Sequence, residues 1–458
     1  MREFEYVIDE ELKNGLNPFD SIPIGSKVLE ECLGFRCGKM GLEEYVPMIN
    51  PLPGAFSINY SWPFPQFLQG EKYNILVIRD SSVNLEDKVY SISDDFSTIN
   101  HIFDIDKLTF GLGELMEIAD FGKYAFMTNG VIMIYWDVAI NDWHEVIASP
   151  TIPMMKTVCN FKGQAVGGNV VSDWYDCDDR YYVWSRIGEI DFTPDLRNTE
   201  GYRRCPYGGI VRHVRRLGNK VIGYSSKGIT ALIPVNEPAV TFGFVELLDI
   251  GIINKGAING NLSRQIFVGE DFRLYEVTDA GVKELGYKNY IEELAGEDII
   301  VSYEPFKKDF YIGNSSKTFL LSPNGMTEIM QHPSAIGRGL MLPEELDDNE
   351  GLIVTEGFNM GYGGTKTVFS IETDLSPVND LKGAVDYYND AITNGTTNFI
   401  NINKEGIVCI IVSGSYFKVR LKFQPTYNKS TISYIKARYK MTDLKGIRGV
   451  YAPPLRGQ

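Results

Sequence analysis

The sequence predicts an all-β fold, a β-propeller of six or seven blades, with an extended arm before it and a β-hairpin after it. The main observation is a repeat of three segments, in which an apolar run leads to a glycine, a few polar residues and a second apolar run. The segments are residues 220–233, 265–277 and 309–321. Their glycines, Gly223, Gly269 and Gly313, lie 46 and 44 residues apart. A period of about 40 to 50 residues with strand-turn-strand content is typical of propeller blades.

The composition agrees with many short strands joined by tight turns. The chain of 458 residues is 44% hydrophobic and contains 45 Gly, 26 Tyr and 25 Phe. Aromatic residues favour strands, and glycine favours turns. The net charge of -16 argues against nucleic-acid binding over the whole surface, because attraction to phosphate needs basic residues.

The cysteines and the first residues bear on where the protein is made. Six cysteines are scattered along a long chain, unlike the framework of a small secreted domain: Cys32, Cys37, Cys159, Cys177, Cys205 and Cys409. Residues 1–13 alternate charges where a signal peptide would be apolar, and no run approaches the ~18 apolar residues of a membrane span. We therefore expect reduced thiols and a soluble protein made in the cytoplasm, with no membrane partner.

Residues 1–72 are the expected extended N-terminal arm. Segments 17–25, 49–56 and 61–67 are rich in proline and glycine. Proline removes a backbone donor and fixes φ, so few positions here are expected to join a sheet. A short helix is expected only near residues 27–33.

Residues 73–405 are expected to form the blades. Cutting at the repeat gives units near 73–118, 119–160, 161–210, 211–258, 259–303, 304–347 and 348–405. Within residues 124–135, Asn129-Gly130 joins two apolar runs and predicts a two-residue hairpin turn. Residues 382–394 are expected to be a helix or a loop insertion.

Residues 406–458 are expected to be a basic β-hairpin with an extended tail. The runs 409–423 and 431–441 alternate in polarity and are expected to pair with each other. From Lys418 onward there are ten Lys or Arg and one acid, Asp443, which leaves a charge of -25 on the rest of the chain. A basic segment on an acidic body predicts an assembly surface, and a solvated strand face is the alternative. The residues expected to carry assembly are Lys418, Arg420, Lys422, Lys436, Arg438, Lys440, Arg448 and Arg456.

No motif points to catalysis, a cofactor or a metal. Asp173, Asp176, Asp178 and Asp179 lack the glycine and distal glutamate of a calcium loop, so an exposed blade loop is favoured over an ion site. None of the four histidines has ligand spacing, and no second cysteine pair follows Cys32 and Cys37. The glycine-rich residues 357–367 do not fit a phosphate loop. We expect no active site and no cofactor.

Loose motifs over residues 10 to 330 resemble the propeller-type structural proteins of tailed bacteriophages. In those proteins an extended N-terminal arm precedes the blades. The similar segments are 15–17, 20–25, 38–43, 46–47, the W-S-x-I-G stretch at 182–188, the F-T-P stretch at 191–194, 209–211 and 217–222.

The resemblance implies a non-enzymatic virion protein, either a tail nozzle or a head-to-tail completion component of a short-tailed phage. Such a protein would form a homo-oligomeric ring, expected to be sixfold, contact other tail or connector subunits, and surround the path of viral DNA. Its location would be the phage tail or neck, after synthesis in the host cytoplasm. The acidic body suits this, since repulsive walls let DNA slide.

A carbohydrate-binding or glycoside-cleaving propeller involved in host recognition is the alternative. Four aromatic side chains are candidates for stacking on sugars: Trp62, Trp143, Trp174 and Tyr175. Glycosidases also need a pair of carboxylates that face one sugar bond. The sequence provides no repeated motif that identifies such a pair.

Overall fold

In the computed structural model, the regular secondary structure is almost entirely β-strand. The structure describes residues 3–20, 27–46, 62–70, 73–80, 86–93, 97–105, 113–194, 199–235, 241–331, 333, 335–337, 340–342, 350–361, 363–374, 381–389, 394–424 and 431–442. Helical turns within these ranges are confined to Glu10–Asn14, Lys288–Ile291 and Glu292–Leu294. No helix in these ranges is long and apolar enough to cross a membrane. The predicted all-β class is confirmed.

The chain divides into two compact units. The propeller unit comprises Met48–Ser316 and His332–Glu344, and the terminal unit comprises Met1–Pro47, Lys317–Gln331 and Glu345–Gln458. These limits differ from the boundaries expected after residues 72 and 405. The reason is that strands near the N-terminus pair with strands of residues 351–441.

The described residues of the propeller unit include five antiparallel sheets, each of four strands that follow one another in the chain. Sheet 1 consists of Gln66–Gln69, Asn74–Asp80, Glu86–Ile92 and Ile99–Ile105, and sheet 2 of Glu117–Asp120, Tyr124–Thr128, Met133–Asp137 and Asp142–Glu145. Sheet 3 consists of Met155–Phe161, Gln164–Val170, Tyr181–Trp184 and Gly201–Arg204. Sheet 4 consists of Val211–Leu217, Lys220–Ser225, Ile229–Val235 and Thr241–Leu248. Sheet 5 consists of Ile258–Gly260, Arg264–Val268, Leu274–Thr278 and Gly281–Gly286.

The first strands of these sheets surround one cavity of about 520 Å³. Each of the five contributes lining residues, and so do Tyr303, from the following strand Ile300–Glu304, and Ile336, from the hairpin Ala335–Gly337 and Leu340–Leu342. First strands grouped around a central cavity are the arrangement of a β-propeller. The propeller predicted from the repeat is therefore confirmed, and among the described residues seven strands line its central cavity: the five first strands, Ile300–Glu304 and Ala335–Gly337.

A sixth set of strands follows sheet 5 in the chain. Ile300–Glu304 and Asp309–Gly313 pair with each other in the propeller unit. Thr318–Leu321 and Met326–Ile329 pair with each other in the terminal unit.

The three repeat glycines all lie at second strands, as the period predicts, but their positions are not identical. Gly269 follows the strand Arg264–Val268 and opens a turn in which its N–H donates to the Arg273 carbonyl at 2.9 Å. Gly313 is likewise the last residue of its strand. Gly223 lies two residues before the end of its strand. Gly223 therefore lies within its strand, where it allows close packing against Tyr182, and does not form a turn.

Neighbouring sheets of the propeller unit share apolar cores. One core joins Phe126 and Met133 of sheet 2 with Val158 and Ala165 of sheet 3. The strand Gln164–Val170 is buried at every position, because both of its faces meet other sheets. Burial on both faces explains why this strand shows no alternation of buried and exposed positions.

The turn at Asn129 and Gly130 is longer than predicted. Thr128 pairs with Met133, so residues 129–132 form a four-residue loop. Gly130 has the expected positive φ of 85°. The Asn129 side chain accepts hydrogen bonds from the N–H groups of Val131 and Ile132 at 3.2 and 3.1 Å, so it stabilises the loop through its side chain.

The described residues of the terminal unit form three sheets. Sheet 6 has the order Glu3–Ile8, Ile435–Met441, Lys366–Thr373 and Ile407–Gly414. Sheet 7 runs from Thr318–Leu321 through Met326–Ile329, Leu29–Leu33, Gly351–Thr355, Tyr416–Phe423 and Lys382–Tyr388 to Asn394–Thr396, with Ile400–Asn401 beside Lys382–Tyr388. Sheet 8 consists of Phe35–Cys37, Leu42–Glu44 and Thr431–Ile432.

Sheets 6 and 7 pack their apolar faces together. Burial alternates along Ile407–Gly414 and Tyr416–Phe423, which is the pattern of strands with one buried face. At Gly383 in sheet 7, an added Cβ would lie 2.9 Å from Cγ1 of Val408 in sheet 6. The two faces therefore share a core.

The expected pairing of residues 409–423 with residues 431–441 is wrong. Thr431–Ile432 pairs with Leu42–Glu44, and Ile435–Met441 pairs with Glu3–Ile8 and Lys366–Thr373. Ile407–Gly414 pairs with Lys366–Thr373, whereas Tyr416–Phe423 pairs with Gly351–Thr355 and Lys382–Tyr388. The chain crosses from sheet 6 to sheet 7 at Ser415. The alternation of apolar and polar residues predicted that Ile407–Gly414 and Tyr416–Phe423 are strands with one buried face. It did not predict which strands they pair with.

Three further expectations for local structure are wrong. Described residues of the N-terminal arm form strands with buried side chains, including Ile8, Leu29 and Phe35. Residues 29–33 form a strand where a helix was expected. The expected helix or loop at 382–394 begins with the strand Lys382–Tyr388, which pairs with Tyr416–Phe423 over seven positions. In each case a partner strand distant in sequence decides the structure.

Candidate functional site

Sheet 6 places three residues of the expected basic surface on one face. In the register of its first two strands, Glu3 lies opposite Lys440, Glu5 opposite Arg438 and Val7 opposite Lys436. Because side chains alternate along a strand, these pairs share one face. Opposite charges directly across a strand pair stabilise that pairing.

The ion pairs on this face form a continuous ladder. Their N to O distances are 3.0 Å for Lys440 and Glu3, 3.5 Å for Arg438 and Glu5, 3.9 Å for Lys436 and Glu5, 2.7 Å for Arg438 and Glu372, and 3.3 Å for Lys436 and Glu372. Glu372 lies on the third strand of the sheet. Acids of two strands thus flank the bases of the strand between them.

Glu372 shows the electrostatic effect of this ladder. Partial burial by itself would raise the pKa of its carboxyl group, but Lys436 and Arg438 outweigh burial and hold the pKa below its usual value of 4.5. The carboxylate is therefore held in its ionised form by its neighbours.

The other three described basic residues lie on Tyr416–Phe423 in sheet 7, and each has an acidic partner. Lys418 forms an ion pair with Glu30, Arg420 lies 3.8 Å from Asp386, and Lys422 lies 3.0 Å from Glu350. Burial would lower the pKa of Lys418, but the hydrogen bond to Glu30 outweighs burial and raises it.

The six described cations are therefore paired within the terminal unit. Arg448 and Arg456 lie outside the described residues. Counting charges along the sequence located the basic strands but missed their acidic partners, which lie up to 437 positions away, as for Glu3 and Lys440. The two-residue spacing of Glu3 and Glu5 matches that of Arg438 and Lys440, but this spacing does not select the two strands as partners.

The central cavity of the propeller unit contains a second charged cluster. His213 Nδ1 lies 2.9 Å from Glu117 Oε1, although the two do not align as a hydrogen bond. Arg215 donates to the Gly260 carbonyl at 2.7 Å. Lys255, beside an adjoining cavity of about 80 Å³, donates to the carbonyls of Leu115 and Lys156 at 2.7 and 2.6 Å.

Burial lowers the pKa of both Arg215 and Lys255, and the nearby Glu117 opposes this effect. Glu117 thus serves as a counter-ion to Arg215 and Lys255 at the propeller centre. The cations are held by backbone carbonyls of different sheets. This arrangement links the sheets and presents no pairing of a nucleophile with a base.

The candidate sugar-stacking residues have different environments. Trp174 is buried and its Nε1 donates to the Pro150 carbonyl at 3.0 Å. Trp62 Nε1 donates to the Asp298 carbonyl at 2.6 Å. Trp143 and Tyr175 are 40% and 47% exposed, so only these two present large surfaces to solvent.

Tyr175 lies over a shallow site on sheet 3. Its ring is 6.1 Å from that of Tyr202, with 30° between the planes. Tyr175 and Asp176 both have positive φ, 44° and 54°, so the loop is folded back tightly there. A cavity of about 380 Å³ beside it is lined by Asp173 and six other residues.

The acidic cluster of this loop is partly paired. The Asp178 carboxylate accepts from Arg180, with Nε to Oδ2 at 2.9 Å, and this hydrogen bond lowers its pKa. Asp179 lies 3.8 Å from the same guanidinium. Over the described part of the chain, no group of three or more His, Cys, Asp or Glu residues is placed to hold a metal ion.

The cysteines are free thiols and five of the six are buried. Burial raises the pKa of Cys159 to about 12, so this thiol stays protonated and unreactive at neutral pH. Cys409 is exposed on the edge strand Ile407–Gly414.

No protein-family model and no curated protein matches this sequence. Among solved structures, Hsv2 of Kluyveromyces lactis is 10% identical, with a TM-score of 0.34 over 58% of this chain and 86% of that one. A chain of the mitotic checkpoint complex is 11% identical, with a TM-score of 0.37 over 70% of this chain and 90% of that one.

PorZ, a surface component of the type-IX secretion system of Porphyromonas gingivalis, is 12% identical, with a TM-score of 0.35 over 65% of this chain and 36% of that one. Identities of 10 to 12% at these TM-scores establish no family, and no function is transferred from them.

Proposed function

We propose that the chain is a non-enzymatic structural protein of a bacteriophage virion, a ring-forming tail nozzle or head-to-tail completion component around the DNA path. The observation that carries the proposal is the terminal unit. The two ends of the chain combine into a strand-built module whose sheet 6 has strands at both edges with a single partner each among the described residues. Strand edges of this kind are natural sites for assembly.

The chemistry of the central cavity supports an architectural role. Its charged groups contact one another or the backbone, as with Arg215 and the Gly260 carbonyl and with Asp120 and the Gly122 N–H. A catalytic centre would instead direct such groups at a substrate. The net charge of -16 suits a protein along a DNA path, because an acidic wall does not retain DNA.

The oligomeric state of the purified full-length chain tests the proposal. We expect a closed ring, with six copies, by native mass spectrometry and negative-stain electron microscopy. Antibodies against the chain should label the tail or neck of the phage particles. A chain that stays monomeric at all concentrations and is absent from the particles would contradict the proposal.

Carbohydrate binding at Tyr175 is a second candidate, favoured by the exposed Tyr175 and Tyr202 pair beside a cavity lined by Asp173. Aromatic rings with an adjacent carboxylate suit a sugar, which presents an apolar face and hydroxyl groups. A glycan array comparing the unaltered protein with Tyr175→Ala tests it. Glycan binding that is lost in Tyr175→Ala would favour host recognition, whereas no binding to any glycan would remove this candidate.

A further inference from the structure

Sheet 6 has two edge strands with different compositions. In the part of the chain that the structure describes, Glu3–Ile8 pairs only with Ile435–Met441, and Ile407–Gly414 pairs only with Lys366–Thr373. The sequence of Ile407–Gly414 is IVCIIVSG, with no charge and no proline. Proteins usually protect an exposed edge with charges, proline or a covering segment. The edge strand Ile407–Gly414 has no charge and no proline, so it is suited to pair with a further strand.

The directions of the strands identify a strand that fits. The three pairings within sheet 6 are all antiparallel. Its four strands therefore alternate in direction, and the two edge strands run in opposite directions. If a second copy stands beside the first in the same orientation, its Glu3–Ile8 meets Ile407–Gly414 in the antiparallel sense. The sheet would then continue from one copy to the next.

The exposed residues of the two edges select a register. Val7 is 48% exposed on one edge and Ile411 is 80% exposed on the other. Both lie on the charged, outward face of sheet 6. Placing Val7 opposite Ile411 also places Tyr6 opposite the inward-facing Val412. Inward and outward faces therefore match across the junction, as a continued sheet requires.

We propose that Ile407–Gly414 accepts the strand Glu3–Ile8 of a second copy of this chain, head to tail, with Val7 opposite Ile411. The proposal rests on the ring assembly proposed above and specifies its interface. Such an interface is heterologous, because it joins two different surfaces, and it generates a ring when the rotation between copies closes. Burial of Val7 and Ile411 against each other supplies the apolar contact.

Disulfide trapping tests the interface in the full-length chain. The variant carries Val7→Cys and Ile411→Cys, with Cys409→Ser to remove the exposed native thiol. Within one copy the two edge strands are three strand spacings apart, roughly 14 Å. A disulfide needs Cα atoms within about 7 Å, so any bond between these positions must join two copies.

Under mild oxidation we expect a ladder of covalent oligomers on a non-reducing gel, which collapses to one band with reductant. The matched control carries Tyr6→Cys in place of Val7→Cys, with the other two changes kept. Tyr6 points to the opposite face of the sheet from Ile411, so this control should give no ladder. Equal ladders from both variants would overturn the proposed register and face.

A second variant, Ile411→Lys, adds a charge at an exposed position and spares the core. We expect it to shift the size distribution in native mass spectrometry toward monomer. If the unaltered chain forms rings but Val7→Cys with Ile411→Cys gives no ladder and Ile411→Lys leaves the rings intact, the strand interface is wrong while the proposed ring function stands. If the unaltered chain forms no oligomer, the ring function itself fails.

Discussion

Gly223 illustrates how one residue sets the approach of two sheets in the propeller unit. It has no positive φ, and the constraint is space. A Cβ at this position would lie 2.3 to 2.5 Å from atoms of the buried Tyr182 side chain. Tyr182 belongs to sheet 3 and Gly223 to sheet 4, so the glycine provides the gap that the tyrosine fills.

Gly223→Ala should therefore destabilise the propeller unit by about 1–3 kcal/mol through overpacking. Thermal unfolding followed by circular dichroism measures the effect. Gly363→Ala is the matched control, since Gly363 has an ordinary φ and no atom within 4 Å of an added Cβ. Equal melting temperatures for both variants and the unaltered chain would contradict the packing argument.

The charge ladder gives a second prediction at the residue scale. The pKa of Glu372 lies below 4.5 in the folded protein because of Lys436 and Arg438. Its ionised form contributes stability that is fully present above the unfolded pKa of about 4.5 and is lost as the pH falls through the lower folded value. Acidification should therefore weaken the terminal unit.

Glu372→Gln should lower the free energy of unfolding at pH 7 and reduce its decline below pH about 4.5. Denaturant titrations of both proteins at a series of pH values measure the difference. Glu145→Gln, at an exposed position of sheet 2, serves as the control and should preserve the acid decline. An acid decline as steep in Glu372→Gln as in the unaltered chain would show that the ladder is not its source.

The strand Glu3–Ile8 shows how an element far from its partner in sequence completes a sheet. It pairs with Ile435–Met441 over six positions, and Phe4 stacks on Tyr439 with ring centroids 5.6 Å apart. Its proline-poor sequence EFEYVI alternates in burial. The strand is thus a structural part of the terminal unit and not a free arm.

Deletion of residues 1–8 should expose the edge of Ile435–Met441 and increase hydrogen exchange at its backbone amides. Exchange in sheets 2 to 4 should stay unchanged. Replacement of Glu3 and Glu5 by Gln is the control, because it removes the charges but keeps the strand. Unaltered protection of 435–441 after the deletion would show that the pairing contributes little.

At the scale of the whole molecule, the division into units predicts the effect of C-terminal truncation. Residues 431–441 contribute Thr431–Ile432 to sheet 8 and Ile435–Met441 to sheet 6. Ile435–Met441 lies between Glu3–Ile8 and Lys366–Thr373. Its loss leaves Glu3–Ile8 without a partner in the described sheet.

Truncation from Lys429 onward should therefore unfold sheet 6 while the propeller unit keeps its fold. Hydrogen exchange resolved by segment should show fast exchange in 366–373 and 407–414 and normal protection in sheets 1 to 5. The truncated chain should also fail to enter phage particles, since the assembly proposed above depends on sheet 6. Protected 366–373 in the truncated chain, or its normal incorporation, would contradict this account.

The sequence by itself determined the all-β class and the propeller. A blade is a local unit whose strands follow one another in the chain, so the spacing of Gly223, Gly269 and Gly313 and the continuous apolar runs reflect it directly. Only the tertiary structure decided the terminal unit and the charge ladder, because Glu3 meets Lys440 through a pairing that spans almost the whole chain. Alternation along Ile407–Gly414 fixed which side chains are buried, but the choice of Lys366–Thr373 as its partner depends on long-range packing that local patterns do not encode.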